Sequence, residues 1–231
     1  MPDVILIHGA LGAIDQLAPL ESLLSPRIIP HRLELEGHGS RPSGTPFSTQ
    51  RFAANVRELM ARKGIARASI FGYSMGGYVA LDLAATSPEL VARVATLGTK
   101  LAWNPDAAAK ETTRLHAPTI RAKVPRFADL LEKRHAHAGG WELMLERTSA
   151  FMTSLGTQPV VDDAVLERIK QPARLMVGDR DNVVSVEETR RGASALAAGE
   201  LAVLPNTLHP IEQVRLPLLA ALLNEFFDVA E

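Results

Sequence analysis

The chain has 231 residues, 46% of them apolar, and its acidic and basic side chains nearly cancel to a formal charge of −1. This is enough for one large α/β domain with a sizeable core, and the charge balance gives no electrostatic reason to expect nucleic acid. There is no cysteine, which excludes disulfides, thiolate metal sites and a cysteine nucleophile and fits a reducing cytoplasm.

The opening Met1-Pro2-Asp3 has no basic n-region, and the apolar stretch 4–7 is too short for a signal peptide. That stretch instead reads as a buried strand. Residues 14–24 read as a helix ended near Pro26, and 27–35 carry a second strand, ambiguous around Pro30. A glycine- and proline-rich loop follows over 36–46. Ser48 is the expected N-cap of a helix whose Phe52, Val56, Leu59 and Met60 share one face, with Gly64 as its C-cap. A third strand over 68–71 leads to a helix over 75–86 that stops before Pro88, and 91–97 form a fourth strand.

From about 104 to 158 the alternation breaks. Helical stretches at 124–133 and 141–155 flank Gly139-Gly140, with no convincing strand. So long an interval is not a plain loop. It predicts a helical cap over one end of the sheet, with a core of residues 1–103 and 159–231 and a cap of 104–158. Strands five and six are expected at 174–177 and 201–204. Between them Ser185 and Glu188 form a capping box. The last helix is expected from Pro210, with Ile211, Val214, Leu218, Leu222 and Phe226 on its apolar face. The apolar run 216–229 is too short, and too interrupted by Asn224, Glu225 and Asp228, to span a bilayer. The expected class is α/β, a mostly parallel sheet of about six strands with flanking helices, in a cytoplasmic protein without a membrane partner.

One motif carries chemistry. Gly72-Tyr73-Ser74-Met75-Gly76 has the form Gly-x-Ser-x-Gly and lies between a strand and a helix. There the chain must turn sharply, and the serine hydroxyl projects at a helix N-terminus, where N–H groups favour a developing anion. A phosphate-binding loop is the poorer reading, because the chain lacks the Lys-Ser/Thr pair and the Gly-x-Gly-x-x-Gly spacing. A serine nucleophile needs a base, and the base needs a carboxylate. His209 is the one histidine beyond the last strand. It stands before Pro210, where a capping residue is usual, and such departures tend to fall at functional sites. In Gly178-Asp179-Arg180-Asp181 two aspartates compete. Asp181 is favoured, because the loop must project its carboxylate toward the histidine, with Asp179 left as a turn residue bonding its own backbone. His8 and His38 read as turn and loop architecture. His116, His135 and His137 fall in the helical interval, and the spacing of the last two does not suit a metal.

Together these residues resemble the α/β-hydrolase family. The matches are Ile7-His8-Gly9-Ala10, Glu36-Gly37-His38-Gly39-Ser40, Gly72 to Gly77, Gly178-Asp179-Arg180-Asp181 and His209. The resemblance implies a Ser74–Asp181–His209 triad and an oxyanion hole from the backbone N–H groups of Ala10 and Met75. In the family's pattern the acid lies three residues after the glycine, which supports Asp181. Members usually carry a strand hairpin before the His-Gly motif, so this sheet is expected to be the smaller form without it. Leu11, Arg41, Tyr73, Lys100 and Trp103 are candidate substrate-binding residues, with Arg41 and Lys100 available for a substrate carboxylate. Neither metal nor cofactor is implied, and the expected assembly is a monomer or small homo-oligomer acting on a small molecule. The favoured activity is hydrolysis of an ester or thioester. The alternatives are a carbon–carbon bond hydrolase, a lyase resembling those of menaquinone synthesis, or a non-enzymatic ligand-binding or signalling module.

Overall fold

A computed structural model describes residues 1–228, so Val229, the end of the C-terminal apolar run, lies outside it. The first half of the chain runs β1 (Asp3–Ile7), α1 (Ala18–Glu21), β2 (Ile29–Leu33), α2 (Thr49–Lys63), β3 (Ala68–Tyr73), α3 (Met75–Thr86) and β4 (Val91–Leu97). Four helices follow without a strand: α4 (Pro105–Thr112), α5 (Ala117–Lys123), α6 (Pro125–His135) and α7 (Trp141–Thr157). The chain then closes with α8 (Asp163–Arg168), β5 (Ala173–Gly178), α9 (Val186–Ala195), β6 (Gly199–Leu204) and α10 (Leu216–Phe227). None of the described helices is long and apolar enough to cross a membrane.

The six strands form one sheet in the order β2-β1-β3-β4-β5-β6, parallel at every pairing. Both faces are covered, so the central strands carry near-continuous apolar runs, such as 4–7 of β1, rather than a strict alternation. Ile5, Ile7 and Ile70 join the core under α2 and α3, whereas Val4, Leu6 and Phe71 join the core under α1 and α10. Helix α3 is buried almost all round, as a helix wedged into an interior must be. Pro30, the doubtful residue of the second strand, is tolerated because β2 is an edge strand with one side unpaired.

Two expected helices are shorter than their apolar pattern. Over 14–24 the chain makes a 3₁₀ turn, Ile14–Leu17, and then the four-residue α1. Pro19 has no N–H to donate to the carbonyl of Asp15, so one continuous helix cannot form. Pro210 does not begin the last helix; it caps a 3₁₀ turn, Ile211–Gln213, and α10 starts six residues later, at Leu216. Pro217 is the cause, since it can neither bond to nor pack against the carbonyl of Gln213. The capping box is half made. Ser185 Oγ accepts from Glu188 N, but the Glu188 carboxylate accepts instead from the N–H groups of Leu101 and Ala102, at 2.6 and 2.7 Å. Those two groups lie just past β4, and a carboxylate satisfies both at once.

The strand order reverses between β1 and β3, since the chain goes from β1 outward to β2 and returns on β1's other side. The crevice at the carboxyl ends of two such strands is where open α/β sheets bind ligands. Here the loop Gly9-Ala10-Leu11 leaves β1 beside the Ser74 turn that leaves β3.

Candidate functional site

Ser74 sits at φ 51°, ψ −115°, one of two non-glycine residues with positive φ among the described residues. Such a conformation is strained and persists only where its surroundings enforce it. They do so by contact. A Cβ on Gly72 would lie 2.3 Å from the carbonyl of Gly76, and one on Gly76 would lie 2.4 Å from the carbonyl oxygen of Ile7. Both obstacles are backbone, so neither position can accept a side chain. Thr99 Oγ1 donates to the Ser74 carbonyl at 3.1 Å, and Ser74 N donates to Leu97 O at 2.8 Å.

His209 bridges the other two members. Its Nε2 lies 3.2 Å from Ser74 Oγ, and its Nδ1 lies 2.8 Å from Asp181 Oδ2. The remaining Asp181 oxygen accepts from the N–H groups of Val183 and Val184, at 2.8 and 2.9 Å. Burial alone would raise the Asp181 carboxyl. The hydrogen bond and charge of His209, with these two N–H groups, hold it below the usual carboxylate range. An ionised Asp181 can only accept, so Nδ1 carries the proton and the Nε2 lone pair faces the serine hydroxyl.

Asp179 is the other candidate acid, and it reaches further than its own turn. Thr207 N donates to its Oδ1 at 3.0 Å, which ties the Asp181 loop to the loop that carries His209. Backbone N–H bonds from Asn206 and Thr207 hold its carboxyl low. Tyr73 OH donates to the His209 carbonyl at 2.9 Å, and burial pushes its phenol up. Gly98 has no counterpart in the sequence reading. It sits at φ 62°, and a Cβ there would meet the His209 ring at 3.1 Å and Asp181 Oδ2 at 3.2 Å. A glycine directly after a strand was its one visible signal.

A cavity of about 320 Å³ opens over this group. Gly9, Ala10, Ser74, Met75 and His209 line its base, and Leu115, Phe127, Phe151, Met152 and Leu155 line it from the helical interval. On α7, Leu155 lies one turn beyond the adjacent Phe151 and Met152, a stripe that the sequence also offers to a plain core. Leu11, Tyr73, Lys100 and Trp103 line the cavity as well. Lys100 is not a free cation, because its Nζ lies 3.8 Å from Glu188 Oε2 and 5.8 Å from the centre of the Trp103 ring. Arg41 is not among the residues lining this cavity. Its guanidinium binds Glu58 at 2.5 Å and faces the Glu34 carbonyl at 3.4 Å.

Comparisons with known proteins agree with this architecture. A family model described as the alpha/beta hydrolase family matches residues 4–216. The Pimeloyl-(acyl-carrier protein) methyl ester esterase of Chromobacterium violaceum is 26% identical over 237 residues, covering 90% of this chain and 87% of that protein. The enol-lactonase of Burkholderia xenovorans shares the fold with a TM-score of 0.80 at 20% identity, covering 99% of this chain and 92% of its own. The 2-hydroxy-6-oxo-6-phenylhexa-2,4-dienoate hydrolase of a Rhodococcus species does so with a TM-score of 0.78 at 22% identity, covering 99% and 91%. With the family model spanning nearly the whole chain, this protein belongs to the alpha/beta hydrolase family and is a hydrolase of that fold.

Proposed function

We propose that the protein is a serine hydrolase that cleaves a carboxylic ester or thioester of a small, partly apolar substrate through an acyl-enzyme on Ser74. The observation that carries this is the relay itself: Ser74 Oγ to His209 Nε2 at 3.2 Å, and His209 Nδ1 to Asp181 Oδ2 at 2.8 Å. In this mechanism Ser74 Oγ attacks the carbonyl carbon while its proton passes to His209 Nε2. Asp181 stabilises the imidazolium, and the N–H groups of Ala10 and Met75 bind the oxyanion. The leaving alcohol or thiol takes the proton from His209. Water, deprotonated by the same nitrogen, then releases the acid and restores Ser74. No cofactor enters.

Residues 104–158 act as a cap that supplies most of the acyl pocket. The cavity's size suits a small ligand, and Leu115, Phe127, Phe151 and Leu155 favour an alkyl or aryl group over a charged one. The ester named for the Chromobacterium relative is of the same general kind.

The test is labelling with a fluorophosphonate, set beside turnover of short and medium p-nitrophenyl esters. Wild type should label and hydrolyse. Ser74→Ala should not label and should lose about 10⁴-fold or more in kcat, as should His209→Ala, with the double variant hardly worse because the two act as a unit. An unlabelled wild type overturns the serine reading. Labelling without ester turnover moves the substrate to the carbon–carbon or lyase class, or leaves a ligand-binding module.

A further inference from the structure

Three buried imidazoles cluster on the loop that follows β1 and take no part in the proton relay. His8 and His38 have ring centres 5.0 Å apart, and His38 and His135 have theirs 5.9 Å apart. The first two come from the core loops, whereas His135 comes from the last turn of α6, in the cap. All three side chains are fully buried.

Their hydrogen bonds fall on three successive carbonyls. His8 Nδ1 lies 2.8 Å from Gly9 O, His38 Nε2 lies 2.8 Å from Ala10 O, and His135 Nε2 lies 3.3 Å from Leu11 O. Partners fix two of the tautomers. Leu35 N donates to His8 Nε2 at 3.1 Å, and Gly39 N donates to His135 Nδ1 at 3.0 Å. The opposite nitrogen of each therefore carries the proton and donates to its carbonyl. Arg134, next to His135, adds a second donor to Leu11 O at 3.3 Å.

The peptide unit is planar, so holding a carbonyl also aims the N–H that follows it. The carbonyl of Gly9 shares its plane with the N–H of Ala10, the group assigned to the oxyanion. The carbonyl of Leu11 shares its plane with the N–H of Gly12, which donates back to Gly9 O at 3.0 Å. A continuous path thus runs from His135 to Leu11 O, through the Gly12 N–H to Gly9 O, and on to the Ala10 N–H. An oxyanion donor must be aimed before the reaction, and errors of about 1 Å are costly.

We infer that His135, supported by Arg134, is a positioning residue: it fixes the oxyanion loop from the cap, so that a seated cap and a formed oxyanion hole are one condition. This rests on the serine-hydrolase reading above. The cap then does more than enclose the acyl group, because the same helix that covers the cavity sets the donor that stabilises charge in it.

Two isosteres separate positioning from mere filling. In His135→Asn the amide oxygen replaces Nδ1 and keeps the Gly39 bond, but nothing reaches Leu11 O. In His135→Gln the longer amide places an N–H where Nε2 stood. With p-nitrophenyl acetate, kcat should fall about 10-fold in His135→Asn with KM unchanged, and recover to within about three-fold of wild type in His135→Gln. The rate of fluorophosphonate labelling should follow the same order. Wild-type kcat in His135→Asn, or equal losses in both variants, overturns the inference. If His135→Asn does not fold, Arg134→Met serves: a loss of about three-fold in kcat at unchanged KM is expected, and no loss overturns the inference. A wild type that neither labels nor turns over defeats the hydrolase reading itself, whereas an active wild type with unaffected variants defeats this step alone.

Discussion

The carboxyl end of the sheet and the helical interval above it line the same cavity but are specified differently. The Ser74 turn is held by backbone. Gly72 packs against the carbonyl of Gly76 at the start of α3, Gly76 packs against that of Ile7 in β1, and no other residue type fits at either position. The roof is held by side chains, among them Phe151 against Phe52 with ring centres 5.9 Å apart, and His135 against Leu11. A backbone-defined site tolerates almost no change of residue, whereas a side-chain-defined one can be repacked. The base can therefore fix a chemistry while the roof varies the substrate.

Gly98 puts that difference to its severest test, because it belongs to the backbone-defined part yet lies outside the serine motif. In Gly98→Ala the added methyl meets His209 and Asp181 at 3.1 to 3.2 Å, on a residue at positive φ. One of the three must shift by a few tenths of an ångström, which displaces a member of the proposed relay. The expected loss is about 100-fold in kcat with KM little changed, read with a short p-nitrophenyl ester. A loss of less than five-fold would show that the base is as adaptable as the roof.

Acid tests the seam between the two regions. His135 is held at about 4, below its ordinary 6.5, by burial first and then by the neighbouring His38, with Arg134 adding to it and Leu11 O and Asp15 opposing. Burial likewise lowers His8 and His38. The unfolded chain therefore binds protons at these sites that the folded chain refuses. Stability is full above about 6.5 and falls as the pH drops from there toward 4, by up to about 1.4 kcal/mol per pH unit for each such group. Chemical denaturation at pH 7, 6 and 5 measures this slope, and His135→Gln should make it shallower. An unchanged slope in that variant would remove His135 from the seam's acid response.

The same contrast decides what the sequence discloses. The strands, the serine turn and the order Ser74, Asp181, His209 rest on patterns within a few residues of each other, or on chain order alone. They can be read without knowing the fold. The breaks at Pro19 and Pro217 were also local, but a strong apolar period concealed them. Gly98 and His135 were not readable in this way. Gly98 matters only because loops bearing residues 98, 181 and 209 converge, and His135 matters because it meets a carbonyl 124 positions earlier in the chain. Arg41 shows another limit of local pattern. A cation beside a functional loop looked available to a ligand, but Glu58, on the neighbouring helix α2, lies within its reach.

Met152 sharpens the comparison from the roof side. It lines the cavity from α7 and is only partly buried, so a larger side chain there can extend into the space that the acyl group would fill. Met152→Trp should raise KM for medium-chain esters about 10-fold while changing that for acetate less than three-fold. Fluorophosphonate labelling of Ser74 should persist, since the backbone beneath is untouched. If acetate and longer chains were affected alike, the roof would be shaping the reaction centre and not only the acyl pocket.

Arg41 gives the smallest effect and the cleanest control. Its partner Glu58 is half exposed, and such surface pairs contribute about 0–1 kcal/mol. Arg41→Gln should lower stability by no more than that, and its effect should weaken as salt is raised, because the pair is screened. Its KM for an ester whose acyl chain ends in a carboxylate should stay within about two-fold of wild type, since the guanidinium does not line the cavity. Lys100→Gln, in the same assay, changes a residue that does line it. There Glu188, 3.8 Å from the ammonium, limits what the lysine can offer an anion. A several-fold rise in KM for Arg41→Gln on acidic substrates, without one on neutral esters, would mean that substrate reaches past the cavity to the rim of the loop after β2, and that the base of the site extends further than its backbone contacts define.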